Sequence, residues 1–323
     1  MKVIFVNNVN ENSGPDYANN SLLNSLKKIV PVNAINVPDS HIRRVLPYLK
    51  ILSQIFFADV IIFHAYTRFN MIALRIAHLL SKKTALICHG ILSFENEINR
   101  MNTSQTLYDR SDKFLMANDL IFGVSKKQAE LIIRLFPEAK DKVKYFYNGN
   151  EDDNHTKKRP LQKKSKDNIV KFVLSGGSRP IKRNNLAIKA IYKFSKTHKS
   201  HIDIFGDYES GRLEIPEQNN NFSTEIHGHL NKQIFENYLL NADMFLLISL
   251  HESFGLSAID ALKNNTSIIL SKSCGVVDVL DVTEFDLVDL YEDETEIAKK
   301  IEYLLKHPNY ERLFSSTKLK KCT

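Results

Sequence analysis

The sequence predicts an α/β protein made of two doubly wound, Rossmann-like domains. Three observations carry this reading. Short apolar runs recur with room for one helix between each pair, the runs show little polar alternation, and the rhythm breaks once at a charged segment before restarting. Strands buried on both faces read as continuous apolar runs, so parallel sheets with helices on either side are the economical architecture. A chain of 323 residues, 43% hydrophobic and 25% charged, is long enough for two such domains and has ordinary globular composition.

Taken in order, "KVIFV", "VNAINV", "DVIIFH", "TALICH", "LIFGV" and "VKYFY" are the strands of a first domain, residues 1–150. Between them "LRIAHLLSK" and "KKQAELIIRLF" place apolar residues at helical spacing. Residues 151–167 lie in a stretch almost without apolar residues and rich in charges of both signs, which reads as the linker. The rhythm resumes over 168–306 with "IVKFVLS", "HIDIFG", "TEIHG", "MFLLIS" and "TSIILS", and with helices at "NNLAIKAIYKFSK" and "NKQIFENYLLNA". The end, from "EIAKKIEYLLK" onward, reads as two helices interrupted at Pro308. Ligands of such folds bind at the carboxyl ends of the strands, so a cleft between the two domains is the expected place for a nucleotide derivative.

Composition excludes several classes. No run approaches the roughly 18 uninterrupted apolar residues of a membrane span, and "MKVIFVNNVNENSG" reads as a first strand and not as a secretory signal, which makes a cytoplasmic location the expectation. Cys88, Cys274 and Cys322 are widely separated and lack partners at metal spacing, so they read as reduced structural thiols. The net charge of +7 is uneven: residues 1–150 hold 19 Lys plus Arg against 12 Asp plus Glu, while the remainder balances. A basic half suits an anionic small molecule, a membrane face or simple solvation. No G-x-G-x-x-G follows the first strand and no basic-aromatic recognition motif occurs, which argues against a dinucleotide oxidoreductase and against nucleic acid as a partner.

The stretch "HESFGLSAID" holds the densest candidate chemistry. It is the turn from the strand "MFLLIS" into a helix, with Gly255 allowing close backbone approach and the N–H groups of Phe254, Gly255 and Leu256 aimed at an anionic or hydroxyl-rich group. Glu252 and Asp260 are eight residues apart, about 12 Å along a helix at 1.5 Å per residue. That is too far to share a proton or a metal, and suited to two ends of one polar ligand. From spacing alone, a helix-capping Glu and a surface Asp remain equally open. Upstream, "SGGSRPIK" ends a strand with Gly176 and Gly177 and then supplies Arg179 and Lys182, the combination of close approach and fixed positive charge that a diphosphate needs.

Here the chain resembles the retaining GT-B glycosyltransferases of family 4. "SLHESFGLSAIDALKNNTSIILSKSCG" is similar to the family's S-x-x-E-x-F-G-x-x-x-x-E-A block, matching at Ser249, Glu252, Phe254, Gly255 and Ala261. It departs at Asp260, where the second Glu stands, at Asn265 for the helix-ending Gly and at Ser267 for Pro. "FVLSGGSRPIKRNNLAIKAI" resembles the block whose Arg and Lys hold the donor diphosphate. Lys182 matches, Gly177 stands at the Arg position, and Arg179 is near enough to replace it. "IFGVSKKQAELI", "VKYFYNGNED" with Asn148 and Gly149, "IDIFGDYESGRLE" and "ICHGI" with His89 are weaker matches. The N-terminal loop offers Ser13 and Gly14 on the acceptor side, in place of the usual glycine pair.

The resemblance implies a GT-B fold and metal-independent transfer of a sugar from a nucleotide diphosphate sugar, with retention, to a glycan or lipid-linked saccharide in bacterial-type cell-surface polysaccharide biosynthesis. No cofactor and no metal are implied. Glu252, His89, Lys182 and Arg179 would carry the chemistry, with Gly176, Gly177, Phe254, Gly255, Leu256 and Asp260 completing the donor site. It also implies that residues 307–323 form a helix returning to the first domain, and that the basic first half faces the acceptor. "HIRRVLPYLKILSQIFF", with Arg43, Arg44 and Lys50 among apolar residues, then reads either as a contact with the inner face of an anionic membrane or as a helix packed on the sheet with a basic outer edge. A subunit that kept the fold and lost turnover is the alternative to an active enzyme.

Overall fold

The computed structural model describes residues 1–9, 14–38, 45–100, 104–149 and 169–316. The chain divides into two compact units, Met1–Glu151 and Asp152–Thr323. The linker at 151–167 lies outside the described residues, as do Ser13, Arg43, Arg44 and Cys322.

The first unit is a six-stranded parallel sheet of β1 (Val3–Val9), β2 (Val32–Pro38), β3 (Val60–Phe63), β4 (Lys83–Cys88), β5 (Leu120–Gly123) and β6 (Val143–Tyr145), in the order β2-β1-β3-β4-β5-β6. Its helices are α1 (Gly14–Lys27), α2 (Val45–Ile55), α3 (Arg68–Leu79), α4 (Leu92–Asn99), α5 (Gln105–Ala117) and α6 (Lys126–Leu135). Ile61 and Phe63 of β3 are fully buried, as are Ala73 and Ala77 of α3 and Ile51 and Ile55 of α2, so the helices lie on the sheet through small and branched side chains. Ends are set by local chemistry: Thr67 and Ser125 cap α3 and α6 by accepting the N–H groups of Asn70 and Gln128.

The second unit repeats the plan with β7 (Val170–Ser175), β8 (Ser200–Phe205), β9 (Phe222–His227), β10 (Met244–Leu247), β11 (Ser267–Ser271) and β12 (Leu287–Val288), in the order β12-β11-β10-β7-β8-β9. Helices α7 (Asn184–Phe194), α8 (Lys232–Asn241), α9 (Leu256–Lys263), α10 (Glu294–Lys306) and α11 (Tyr310–Phe314) complete it. The α/β class with two parallel sheets is therefore the one observed. "VKYFY" ends as a strand at Tyr145, and the two-residue β12 is an addition that a stretch so short could not announce.

The chain end up to Ser316 is tied into the second unit. Asp286, fully buried, accepts from Asn309 Nδ2 at 2.7 Å and from Arg312 Nη2 at 2.7 Å; Asn309 also bonds both backbone groups of Ile268, and Ser316 Oγ donates to the Val279 carbonyl. Residues 317–323, where the expected return to the first domain would continue, lie outside the described residues.

In each sheet the first strand has neighbours that lead the chain in opposite directions, β1 between β2 and β3 and β7 between β8 and β10. Crevices at the carboxyl ends of such strand pairs are where open α/β sheets bind ligands.

Candidate functional site

In the second unit this crevice is framed by the segments following β7 and β10. β10 is buried throughout and burial continues through Ile248 and Ser249. The chain then turns into α9 at Gly255, whose φ is 102°. A Cβ there would lie 2.8 Å from Cys274 Sγ and 3.3 Å from a Leu247 methyl, so the turn admits no side chain at this point. Two neighbours brace the turn. The Gly275 and Val276 N–H groups donate to the carbonyls of Glu252 and Phe254 at 2.9 and 2.7 Å, and the Leu250 N–H donates to the Ile181 carbonyl at 2.8 Å.

That last bond docks the turn on the 3-10 segment Pro180–Lys182, and there Lys182 Nζ meets Glu252 Oε2 at 2.5 Å, with only 13% and 19% of the two side chains exposed. Burial pushes the Glu252 carboxyl up. The Lys182 ammonium, by its charge and its hydrogen bond, outweighs this with help from Arg179 and His251, and the carboxyl is held below its ordinary value. Glu252 is an ionised group fixed on an ammonium and not an exposed helix cap.

Gly177 sits at φ 58°, and a Cβ there would fall 1.9 Å from the Asp207 carbonyl oxygen. Its N–H donates to Phe205 and that of Ser178 to Asp207, both at 2.8 Å. An arginine at 177 would have to displace the 206–207 turn, so this position admits no side chain. The Gly177 amide is engaged and does not face a ligand. The Lys182 stem crosses over Gly176, and Arg179, exposed, bonds the Gly176 carbonyl through Nε at 3.3 Å. Arg179 and Lys182 thus act electrostatically on the same carboxylate. Arg183, which the sequence reading passed over, is fixed in a left-handed conformation and donates to the Leu290 carbonyl at 3.1 Å.

Phe254 is 2% exposed and belongs to the core through its side chain. Among the described residues the N–H groups of Gly255, Leu256 and Ser257 have no acceptor, which leaves the start of α9 open to an anion or hydroxyl. Asp260, on α9, lies 3.8 Å from Lys232 at the start of α8, a partner 28 residues away that spacing could not reveal. Burial raises its carboxyl; Lys232 and Lys263 oppose the rise without cancelling it, and Glu236 adds to it.

In the first unit, Gly14 opens α1, and His89 follows β4 with its Nε2 2.7 Å from Asn19 Oδ1. Burial lowers its pKa to about 4, so the ring is neutral at pH 7. His64, which follows β3 at the sheet's crevice, lies 6.2 Å from His89 between ring centroids and 4.3 Å from Phe5. Burial, with the His89 charge, holds it well below the ordinary value, and neither ring nitrogen has a partner among the described residues. A lone histidine after an apolar strand carries no sequence signal, and His64 was missed for that reason. Cys88 is buried with its thiol pushed up to about 12 by burial, and Cys274 is buried beside Gly255, as structural thiols should be.

Residues 153–320 match the family described as glycosyl transferases group 1. No curated protein matches the chain. Among solved structures, Anabaena HepE in complex with UDP and glucose is similar at a TM-score of 0.64 and 15% identity, with 100% of this chain and 94% of that one covered; the same protein is known in complex with UDP-glucose. The Escherichia coli trehalose-6-phosphate protein bound with UDP-2-fluoro glucose is similar at 0.63 and 11%, with the same coverage. Sucrose-phosphate synthase from Thermosynechococcus elongatus is similar at 0.62 and 12%, again over 100% and 94%. At these identities the likeness concerns the fold, two parallel α/β sheets of GT-B type.

The buried histidine makes stability depend on pH with a definite sign. His89 binds its proton near pH 6.5 when unfolded and near 4 when folded, so the unfolded chain holds the extra proton between those values and stability falls as pH drops through that window. At about 1.4 kcal/mol per pKa unit the loss attributable to His89 is at most on the order of 3 kcal/mol. Urea unfolding at pH 7 and pH 5 should show a loss for the native chain and a smaller one for His89→Gln; equal losses would contradict the burial of a neutral imidazole.

Proposed function

Since the chain belongs to the glycosyl transferases group 1 family, we propose that it moves a sugar from a nucleotide diphosphate sugar, with retention and without a metal ion, to a glycan or lipid-linked saccharide in cell-surface polysaccharide biosynthesis. The observation that supports this most directly is the Lys182–Glu252 pair, with Arg179 acting on the same carboxylate, at the crevice between β7 and β10. An ammonium has three donors, so Lys182 can keep Glu252 and still take an oxygen of the diphosphate. As the bond from the anomeric carbon to the diphosphate breaks, negative charge develops on the leaving oxygen, and Lys182 with Arg179 neutralises it. The acceptor oxygen attacks on the same face, and its proton passes to the departing diphosphate. Glu252 and the amides at the start of α9 hold the sugar hydroxyls, and Asp260 the ribose. His89, neutral, serves as a hydrogen-bonding group and not as a charge.

UDP-glucose, which HepE binds, is the first donor to try, followed by a panel of other nucleotide sugars read by thermal shift. With the donor that stabilises the chain, Glu252→Ala should lower turnover about a hundredfold or more while the circular dichroism spectrum is kept. Near-normal turnover in the variant would remove Glu252 from the mechanism, and donor binding without any turnover in the native chain would leave a binding subunit.

The acceptor side of this reading includes a peripheral contact with an anionic membrane. α2 buries Tyr48, Ile51 and Ile55 against the sheet, and its outer side sets exposed Lys50 among apolar residues: Leu46 is 77% exposed and Leu49 57%, with Phe57 beyond the helix at 74%. Phe69, stacked on Tyr48, and Ile72 extend the patch onto α3, where Arg68 and Arg75, together with Arg110 and Lys113 of α5, line a cavity of about 630 Å³. Apolar residues beside a basic groove are the pattern of a surface that rests on anionic lipid. Among the described residues no helix is long and apolar enough to cross a membrane. The chain should co-sediment with vesicles containing phosphatidylglycerol and less so as Leu46→Ser/Phe57→Ser; binding that is equal on neutral vesicles or unchanged by the substitutions would set this contact aside.

A further inference from the structure

Strands β8 and β9 carry a cluster that the transfer chemistry does not use. Their parallel register aligns His201 with Ser223, Asp203 with Glu225 and Phe205 with His227. Side chains alternate between the faces of a strand, so His201 and Asp203 share one face while Ile202 and Ile204 fill the core on the other. A sheet face covered by a helix is ordinarily apolar; here it presents two imidazoles and two carboxylates toward α8. We infer that His201, Asp203 and Glu225 form a binding site for one divalent transition-metal ion of the zinc type.

The geometry fits such an ion before it arrives. His201 Nε2 lies 3.4 Å from Asp203 Oδ1, and two ligands at 2.0–2.1 Å in a tetrahedral arrangement are about 3.4 Å apart. The ligand atoms of all three residues lie within 4.8 Å of one another. The Glu225 side chain, 64% exposed, has room to rotate and bring its oxygen closer by up to about 1.4 Å, the difference between 4.8 Å and 3.4 Å. Neutral imidazole nitrogen with carboxylate oxygens is a donor set that zinc accepts and that magnesium, an oxygen-seeking ion, does not favour.

The outer contacts are those that orient ligands. A metal-binding imidazole donates its other N–H to an oxygen, and His201 Nδ1 stands 2.7 Å from Ser223 Oγ, which leaves Nε2 facing Asp203. Asp203 is fixed in turn by His227 Nε2 at 2.7 Å, and the His227 ring is held by stacking on Phe205 with centroids 4.8 Å apart and planes 15° from parallel. Next to the three ligands is a cavity of about 310 Å³ closed by Asn237, Tyr238 and Asn241 of α8, with Lys171 of β7 also lining it; this gives room for a water as fourth ligand. His201 and Asp203 are the second and fourth of the six residues of β8, short of the carboxyl ends of β7 and β10 where the diphosphate crevice lies. The ion is therefore a clamp between β8 and the sheet's edge strand β9 and takes no part in transfer.

The test uses the full chain without an affinity tag, stripped of metal and titrated with Zn²⁺ against a chromogenic chelator. One equivalent should bind, with a rise in Tm that saturates at one equivalent and persists in 1 mM Mg²⁺. His201→Ala and Glu225→Gln should each weaken binding tenfold or more, and His227→Ala, which removes the 2.7 Å support of Asp203 and a 4.0 Å contact with Glu225, should weaken it less. Glu225 is exposed, so Glu225→Gln keeps the fold and remains informative if a histidine variant does not. Failure to bind one equivalent, affinity unchanged in Glu225→Gln, or displacement by Mg²⁺ would each overturn the site.

Discussion

A lysine and a glutamate removed from water are tolerable only in contact, because each alone carries several kcal/mol of lost hydration. Lys182 and Glu252 satisfy that condition through the backbone as much as through their own charges. The Leu250 N–H bond to the Ile181 carbonyl sets the distance between the two turns, and the Cys274–Val276 segment fixes the turn that carries Glu252. Gly255 lets that segment approach, and Gly177 lets the 206–207 turn support the first one from the other side. A buried pair of this kind is weak support for stability, since an apolar pair of like volume would serve as well. At the crevice the pair presents a fixed ammonium with donors to spare beside an ionised carboxylate.

The other acidic group of the motif lives under different electrostatics. Asp260 has Lys232 at 3.8 Å, a distance too long for a good hydrogen bond, and burial prevails over its cations. The two carboxylates are thus divided by environment, one held ionised by contact with Lys182 and one raised by burial. In the sequence they look like a matched pair around a helix start; in the structure only Glu252 is electrostatically settled.

What the sequence made legible follows from which forces are local. Continuous apolar runs and their helical connections are written within ten or fifteen residues, so both sheets could be read. That Glu252, Gly255 and Lys182 fall in turns after strands could be read from the apolar runs that precede them. The choice of Gly177 over arginine could not, because its cause is the Asp207 carbonyl, thirty residues away in the chain. Lys232 beside Asp260, Arg312 on Asp286 and the His201–Asp203–Glu225 group are likewise products of sheet order and register. His64 was hidden for the opposite reason: one polar residue after an apolar strand is common, and its unpartnered nitrogens are visible only once burial is known.

In the proposed transfer the Lys182–Glu252 contact divides its labour, the ammonium serving the diphosphate and the carboxylate the sugar. Calorimetric titration of the Glu252→Gln chain with UDP and with UDP-glucose, beside the native chain, tests it most directly. UDP should bind both chains comparably, while the extra affinity conferred by the glucose should be lost in the variant. Equal gains from glucose in both chains, or loss of UDP binding along with the sugar's, would contradict it.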